Sequence, residues 1–229
     1  MPLAGHLPEY GQERLIRPLL DYLAGADFDG EISWEDWRIT RVTGGRNNLL
    51  YRARDPQSDQ AIKITVHDDC DRAGREFSAL AVLQEAGLSI APEPILLDRS
   101  SYAQPVVVQS WLAGEVNTRP PASTTEWQRL VEHLALVHTV IPDKTRLSLK
   151  KSRIHATSAQ ESKEVVRQAV ACIPREWRAP DLQALLEQLD AAQFPEWPAP
   201  QVTLCRLDNN IANYVQRPGK WASVDWEYS

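Results

Sequence analysis

The stretch at residues 203–227 constrains the fold of this chain more than any other. Two short runs of β-branched and aromatic residues, 213–216 and 221–224, lie on either side of a Pro218-Gly219 pair. Strand-forming runs that flank such a turn pair are typical of a β-hairpin. We therefore predict that the chain folds back on itself here.

The predicted turn decides which side chains of the hairpin meet. A turn centred on the proline and the glycine places Asn213 opposite Val224 and next to Asp225, and Asp208 lies five residues before Asn213. Carboxylates that lie within a few ångströms of each other repel by about 1 to 4 kcal/mol, so such clusters usually hold a cation or share a proton. Among cations, Mg²⁺ suits this set of oxygen ligands best.

Composition narrows the class of protein. The 229 residues allow one large or two small domains, and 43% hydrophobic with 24% charged residues is ordinary for a soluble globular protein. A formal charge of −6 argues against a protein that coats nucleic acid. No apolar run approaches a membrane span, and the three cysteines form no C-x-x-C pair. We expect a cytoplasmic protein with no nucleic-acid or membrane partner.

A glycine-containing turn interrupts two predicted strands, 37–42 and 49–54. Gly44 and Gly45 in this turn would let backbone N–H groups approach an anion without obstruction by a Cβ atom, and Asn48 follows them. A plain hairpin turn explains the same residues, because Asn and Gly dominate such turns. Both interpretations stay open on the residues alone.

A lysine lies within the next predicted strand, 61–66. With a period of two, Ile62, Ile64 and Val66 share the core face, and Lys63 points to the other side. A lysine that faces a closed cleft needs a counter-charge. The candidate is Glu76 in a predicted helix at residues 71–86, although the residues alone favour an ordinary solvated glutamate.

Further strands and helices follow from the same patterns. Strands at 90–97 and 105–112 complete a five-stranded sheet with one helix inserted after the third strand, and the pattern breaks at 113–115. We place a boundary there, giving domains 1–112, with a helical extension at 1–30, and 113–229. Predicted helices lie at 8–24, at 124–139 with a packed stripe of Trp127, Leu130, Leu134 and Val137, at 159–172 and at 181–193.

The pattern D-x-x-x-x-N followed by D-x-E resembles that of the aminoglycoside phosphotransferase and choline-kinase-like small-molecule kinases, which are relatives of the protein kinases. In that group the first part usually reads H-G-D, whereas here it reads Arg206-Leu207-Asp208. The order of glycine loop, strand lysine, helix glutamate and terminal motif is matched over residues 37–227. The resemblance implies a bilobal, protein-kinase-like α+β fold. Its small lobe would be a five-stranded antiparallel sheet with one helix, and its large lobe mostly helical and incomplete at the C-terminus.

The resemblance also implies an activity, which is transfer of the γ-phosphoryl group of ATP, or of another nucleoside triphosphate, to a hydroxyl of an aminoglycoside- or choline-like small molecule. The catalytic residue would be Asp208. The Mg²⁺ ligands would be Asn213 and Asp225. The nucleotide-binding residues would be Gly44, Gly45, Asn48, Lys63, Glu76, Ser110 and Leu112.

Two other functions remain open. The replacements at Arg206 and Leu207 are also compatible with a nucleotide-binding pseudokinase or an inactive fragment without transfer activity, and a purely structural or protein-interaction role is a third possibility. Members of the resembling group continue beyond D-x-E with helices that complete the large lobe, whereas this sequence ends at Ser229. We therefore expect a truncated lobe with exposed apolar surface, and self-association of the chain.

Overall fold

A computed structural model describes residues 10–43, 48–141, 144–147, 149–152, 156–196 and 202–228, with side chains from residue 16 onward. The chain forms two compact units. One contains Met1–Leu149 together with Thr203–Ser229, and the other contains Lys150–Val202. The domain limits predicted above, 1–112 and 113–229, remain predictions.

An antiparallel sheet forms the centre of the first unit. Its strand order is β1-β2-β3-β4-β6-β5. The strands are β1 (Glu31–Trp34), β2 (Trp37–Val42), β3 (Asn48–Arg54), β4 (Asp59–Thr65), β5 (Pro94–Asp98) and β6 (Val106–Ser110). The sheet has six strands where five were predicted, because β1 adds to its edge through a tight turn at Glu35, whose φ is 50°. None of the β1 residues is fully buried, so their pattern gives a weak strand signal.

One face of the sheet is covered by helix α1 (Tyr10–Gly25). Its apolar residues pack against the sheet in a single buried cluster, and they lie on one side of the helix because they recur at helical spacing. Pro18 lies inside α1 and is exposed, away from that cluster. The members contributed by α1 are Ile16, Leu19, Leu20 and Leu23.

Helix α2 (Arg72–Glu85) follows β4 and confirms the predicted inserted helix. The Asp71 side chain caps it by accepting a hydrogen bond from the Gly74 amide at 3.3 Å. Gly87 follows the helix with a positive φ of 71°, which glycine adopts readily. Val66, expected in the core, is 46% exposed because it lies beyond the end of β4.

A second buried cluster joins α2 to the C-terminal residues. Leu80 and Leu83 of α2 pack in it together with Val137, Leu204 and Trp226. These residues come from distant parts of the sequence. The cluster therefore holds the segments on either side of the Asp208 loop and the hairpin against the inserted helix.

The predicted C-terminal hairpin is present with the predicted register. Three strands form a small sheet in the order β7-β8-β9, and β7 was not predicted. Tyr214 pairs with Ser223, and the Val224 amide donates to the Asn213 carbonyl at 2.9 Å. The strands are β7 (Glu115–Val116), β8 (Tyr214–Arg217) and β9 (Lys220–Ser223).

Helix α3 (Thr124–Val137) begins at Ser123, whose side chain forms a capping box with Glu126. The predicted packed stripe is partly wrong, because Trp127 is 51% exposed. The fully buried residues of α3 are His133 and Val137. The helix thus meets the core only through its second half.

The second unit contains two helices at the predicted places, α4 (Ala159–Ala171) and α5 (Leu182–Ala191). The Lys163 ammonium of α4 donates to the carbonyls of Asp190 and Ala192 at 3.1 and 2.7 Å. A cation at the C-terminal end of a helix satisfies carbonyls that have no intrahelical partner. None of the described helices is long and apolar enough to cross a membrane.

His133 gives the fold a testable pH dependence. Its Nδ1 lies 3.3 Å from the Trp221 carbonyl, which can only accept, and its Nε2 lies 3.0 Å from the Ser223 hydroxyl. Burial lowers the pKa of His133 to about 4, so the folded protein keeps the ring neutral. In the unfolded chain the ring takes up a proton near pH 6.5. Stability is therefore lost as the pH falls from 6.5 towards 4, by up to about 3 kcal/mol.

The measurement is the free energy of urea unfolding between pH 7 and pH 4 for the natural chain and for His133→Gln, which stays neutral. We expect a flatter profile for the variant in this window. Parallel profiles would contradict the assignment.

Candidate active site

Lys63 of β4 lies at the centre of a buried ionic cluster. Its Nζ atom lies 2.7 Å from a carboxylate oxygen of Glu76 and 2.5 Å from one of Asp225. A third carboxylate, that of Glu227, lies 3.8 Å away. Strand β4, helix α2 and the segment after β9 thus bring together three residues that the sequence analysis singled out, and the predicted Lys63–Glu76 pair is present.

Burial and charge oppose each other in this cluster. Burial disfavours the Lys63 ammonium, but the attraction of Glu76 and Asp225 outweighs it, and the pKa of Lys63 is raised. Burial raises the pKa of the Glu76 carboxyl, and Lys63 opposes that shift. Glu76 is 0% exposed, and its Oε1 atom has no hydrogen-bond partner among the described residues. Lys63 therefore stays protonated and carries the charge that this group of carboxylates requires.

Glu227 is a member of the site that the sequence analysis did not include. Its buried carboxylate accepts from the Asn48 amide at 3.0 Å and from Arg72 at 3.4 Å. Asn48, predicted to bind the nucleotide, thus donates a hydrogen bond from its side-chain amide to Glu227, which lies 179 residues later in the sequence. The D-x-E spacing was the available signal, because residues two apart after a strand can share a face.

Three carboxylates of this cluster, those of Glu76, Asp225 and Glu227, offer oxygen atoms within 4.8 Å of one another. Such a group can hold a cation, and here the Lys63 ammonium lies among them. The four consecutive residues His67-Asp68-Asp69-Cys70, which are all described, contribute no ligand atom to this group.

The Asp208 loop is ordered by its own side chains. One Asp208 oxygen accepts from the Asn210 amide and the other from the Asn213 side chain, both at 3.0 Å. The Tyr214 hydroxyl donates to Asn209 at 2.8 Å. Asp208 and Asn213 are thus in direct contact, as predicted, and Asp208 is partly exposed.

Arg206 connects this loop to the hairpin. Its Nε atom donates to the Asp208 carbonyl at 3.0 Å, and its Nη2 atom donates to the Val224 carbonyl at 2.5 Å. The guanidinium lies 5.3 Å from the ring centre of Tyr214 and 5.0 Å from that of Trp226. The sequence analysis noted this residue only as a departure from the family pattern.

The segment that contains the predicted nucleotide-binding residues Ser110 and Leu112 begins at the last residue of β6. The Ser110 amide donates to the Glu93 carbonyl at 2.9 Å, and the Trp111 amide donates to the Asp59 carbonyl at 2.8 Å. No backbone hydrogen bond between described residues uses the Leu112 amide. Leu112 therefore has a backbone donor to offer, whereas that of Ser110 is engaged. Gly44 and Gly45 lie outside the described residues.

The family of the chain follows from comparison with known proteins. Residues 38–229 match the model of the phosphotransferase enzyme family, abbreviated APH. The protein belongs to this family. A sequence comparison with curated proteins gives no match.

Solved structures show the same fold. A protein of Ralstonia eutropha JMP134, provisionally assigned as an aminoglycoside phosphotransferase, matches at TM-score 0.64 and 15% identity over 94% of this chain and 64% of its own. The chain thus spans less than two thirds of that relative. The macrolide 2′-phosphotransferase MphH of Brachybacterium faecium matches at TM-score 0.60 and 21% identity, with 94% and 72% covered. Spectinomycin phosphotransferase APH(9)-Ia matches at TM-score 0.55 and 16% identity, with 94% and 68% covered. The predicted protein-kinase-like α+β fold is confirmed.

Removal of the Lys63 charge should lower the free energy of unfolding more than removal of an exposed lysine does. Lys63→Met leaves the fully buried Glu76 without its cation, and we expect a loss of about 3 to 5 kcal/mol at pH 7. The pKa of Glu76, already raised by burial, would rise further. A carboxyl with a raised folded pKa loses its stabilising contribution as the pH rises through that pKa. The deficit should therefore be smaller at pH 5 than at pH 7.

Urea unfolding at the two pH values measures this deficit. Lys220→Met is the matched control, because Lys220 is exposed and its ammonium donates to the Ser89 hydroxyl at 2.8 Å. We expect the control to change stability by no more than about 0.5 kcal/mol. An equal deficit for Lys63→Met at both pH values would contradict the electrostatic explanation.

Proposed function

We propose that this protein transfers the γ-phosphoryl group of ATP to a hydroxyl group of a small molecule. The observation that carries the proposal is that the carboxylates of Glu76 and Asp225 both lie within hydrogen-bond distance of Lys63 Nζ. The Asp208–Asn213 contact lies at the start of the same hairpin. Family membership supports a phosphotransferase.

Catalysis of phosphoryl transfer depends mostly on positioning and on charge stabilisation. Lys63, protonated and held by Glu76, would bind the α- and β-phosphates of the nucleotide. The backbone amides around Gly44 and Gly45 would cover the phosphates, and the Leu112 amide would donate to adenine. The complex of spectinomycin phosphotransferase with ADP supports a nucleotide as the donor.

The donor atoms fit a magnesium ion. Asn213 and Asp225 offer an amide and a carboxylate oxygen, which hard cations prefer, and the Asn213–Val224 backbone hydrogen bond holds the two residues near each other. We propose that these two side chains hold Mg²⁺, which when bound neutralises charge on the phosphate oxygens. Binding there requires Asp225 to share its carboxylate between the ion and Lys63.

Asp208 would orient the acceptor hydroxyl and accept its proton. Each of its oxygen atoms accepts one hydrogen bond within the loop, so each retains an acceptor site. A positioned base contributes about 10² to 10⁴-fold to a rate. The acceptor class is a hydroxyl-bearing small molecule of the aminoglycoside, macrolide or amino-alcohol kind. The spectinomycin and macrolide enzymes with the same fold support this class.

A second candidate function is nucleotide binding without transfer. It is favoured by Arg206 and Leu207, which stand where the family pattern has His and Gly. The two functions differ in one measurable respect, because both predict binding of ATP and only the first predicts loss of the γ-phosphate to an acceptor.

Replacement of the proposed base tests the first function. We expect Asp208→Asn to lower turnover at least about 10²-fold while leaving ATP affinity nearly unchanged, because a base acts on the acceptor and not on the nucleotide. The assay follows ADP release with a panel of aminoglycosides, macrolides and amino alcohols. Asp181→Asn, at an exposed position whose side chain makes no capping hydrogen bond, is the control. Unaltered turnover in Asp208→Asn would refute the role, and binding without transfer in the natural chain would favour the second function.

Magnesium should be required for tight nucleotide binding. A ligand at 100 times its Kd stabilises the folded state by about 2.7 kcal/mol. We expect ATP with Mg²⁺ to raise the Tm of the natural chain, and ATP with EDTA to raise it much less. Asn213→Leu should remove most of this difference. An equal shift with and without Mg²⁺ would contradict the proposed ligand pair.

A further inference from the structure

Arg206 is a buried cation, and none of the ion pairs between described residues includes it. It is 5% exposed, and two of its three nitrogen atoms donate to backbone carbonyls, those of Asp208 and Val224. The third, Nη1, is buried and has no hydrogen-bond partner among the described residues. A buried charge satisfied only in part is costly, so this residue is a poor choice for stability alone.

The two carbonyls belong to the two segments that carry the proposed catalytic groups. One is that of Asp208 itself, and the other immediately precedes Asp225. A guanidinium is planar and rigid, so donors on its Nε and Nη2 atoms fix the separation and angle of the two acceptors they bind. Tyr214 and Trp226 lie against the guanidinium at 5.3 and 5.0 Å, which restricts its own orientation.

The charge itself suits the site. Burial lowers the pKa of Arg206, while Tyr214, Asp225 and Asp208 act in the opposite direction. Arginine stays protonated in proteins, so this position carries a positive charge. A histidine at this position would have a charge that varies near neutral pH.

We propose that Arg206 is a positioning residue that fixes the Asp208 loop relative to Asp225, in place of the family's histidine. The proposal rests on the function proposed above, since the geometry it preserves is that of the base and the metal ligand. The competing explanation is that Arg206 only stabilises the fold. The two explanations differ in which part of the chain responds when the hydrogen bonds from Arg206 to the Asp208 and Val224 carbonyls are removed.

Amide hydrogen exchange of the chain without ligands tests directly whether these two hydrogen bonds hold the Asp208 loop in place. In Arg206→Met, which fills similar space without donors, we expect exchange at residues 208–213 and 224 to be at least 10-fold faster. Exchange in β4 and β6 should be unchanged, and the Tm should shift by only a few degrees. Arg206→Lys keeps the charge but cannot hold two carbonyls in one plane. It should show an intermediate increase confined to the same residues.

The matched control is Arg17→Met. Arg17 pairs with the buried Asp98 and connects α1 to the end of β5, far along the chain from the site. This control should lower the Tm and leave exchange at residues 208–213 unchanged. The reciprocal pattern in the two variants is what distinguishes positioning from stabilisation.

Function gives the second measurement. With Mg²⁺ and ATP, we expect Arg206→Met to lower kcat at least 10-fold with a smaller change in KM, and to weaken the Mg²⁺-dependent part of ATP binding but not the part measured in EDTA. Partial recovery in Arg206→Lys is expected.

If the natural chain neither binds nor uses ATP, the proposed function fails, and hydrogen exchange still decides the role of Arg206. Unchanged exchange at residues 208–213 and 224 in a folded Arg206→Lys or Arg206→Met chain would overturn the proposal. Faster exchange throughout the chain would overturn it as well.

Discussion

The contact of the buried Lys63 ammonium with three carboxylates, of which those of Glu76 and Glu227 are buried, is the constraint on which the first unit depends. Lys63 is buried on the face of β4 opposite to Ile62 and requires counter-charges, which come from α2 and from the segment after the hairpin. Burial of Lys63 therefore requires the segment after the hairpin to lie against β4 and α2. An apolar cluster also holds the C-terminal segment against α2. In this cluster, residues of α2 pack with Val137, Leu204 and Trp226. Charge pairing selects the geometry, and apolar burial supplies the larger share of the stabilising free energy.

Much of the site could be predicted where short-range rules apply. The hairpin register followed from a turn pair, because the side-chain period of a strand is two and the turn fixes its phase. A lysine inside an apolar strand and a glutamate beside a helical stripe made the Lys63–Glu76 pair a candidate, because a buried charge needs a partner. The resemblance to the small-molecule kinases then favoured this pair over a solvated glutamate. The other strands and the inserted helix follow similarly in their order along the chain, apart from the two short strands β1 and β7.

The contacts that could not be predicted are those between distant segments. Asn48 and Glu227 lie 179 residues apart, and no local pattern distinguishes that pair from others. The role of Arg206 depends on two carbonyl groups whose positions appear only in the folded chain. Trp127 fails for a different reason. Its helical spacing is correct, but the fully buried residues of α3, His133 and Val137, both lie in the second half of the helix. Amphipathic spacing indicates which face can be buried, and only the tertiary fold decides how far along the helix burial extends.

The charges around the hairpin form a connected set. Lys63 bonds the carboxylate of Asp225, while Arg206 bonds the carbonyl of the residue before it, so one short segment is held by two cations from different elements. A metal ion that binds Asp225 weakens the hold of Lys63, because the carboxylate then divides its negative charge. The Arg206 contact uses the backbone, so it does not compete with the ion for those oxygen atoms. At the proposed Mg²⁺ site, the Asp225 carboxylate would therefore exchange one cation for another without loss of the Arg206 contact to the Val224 carbonyl.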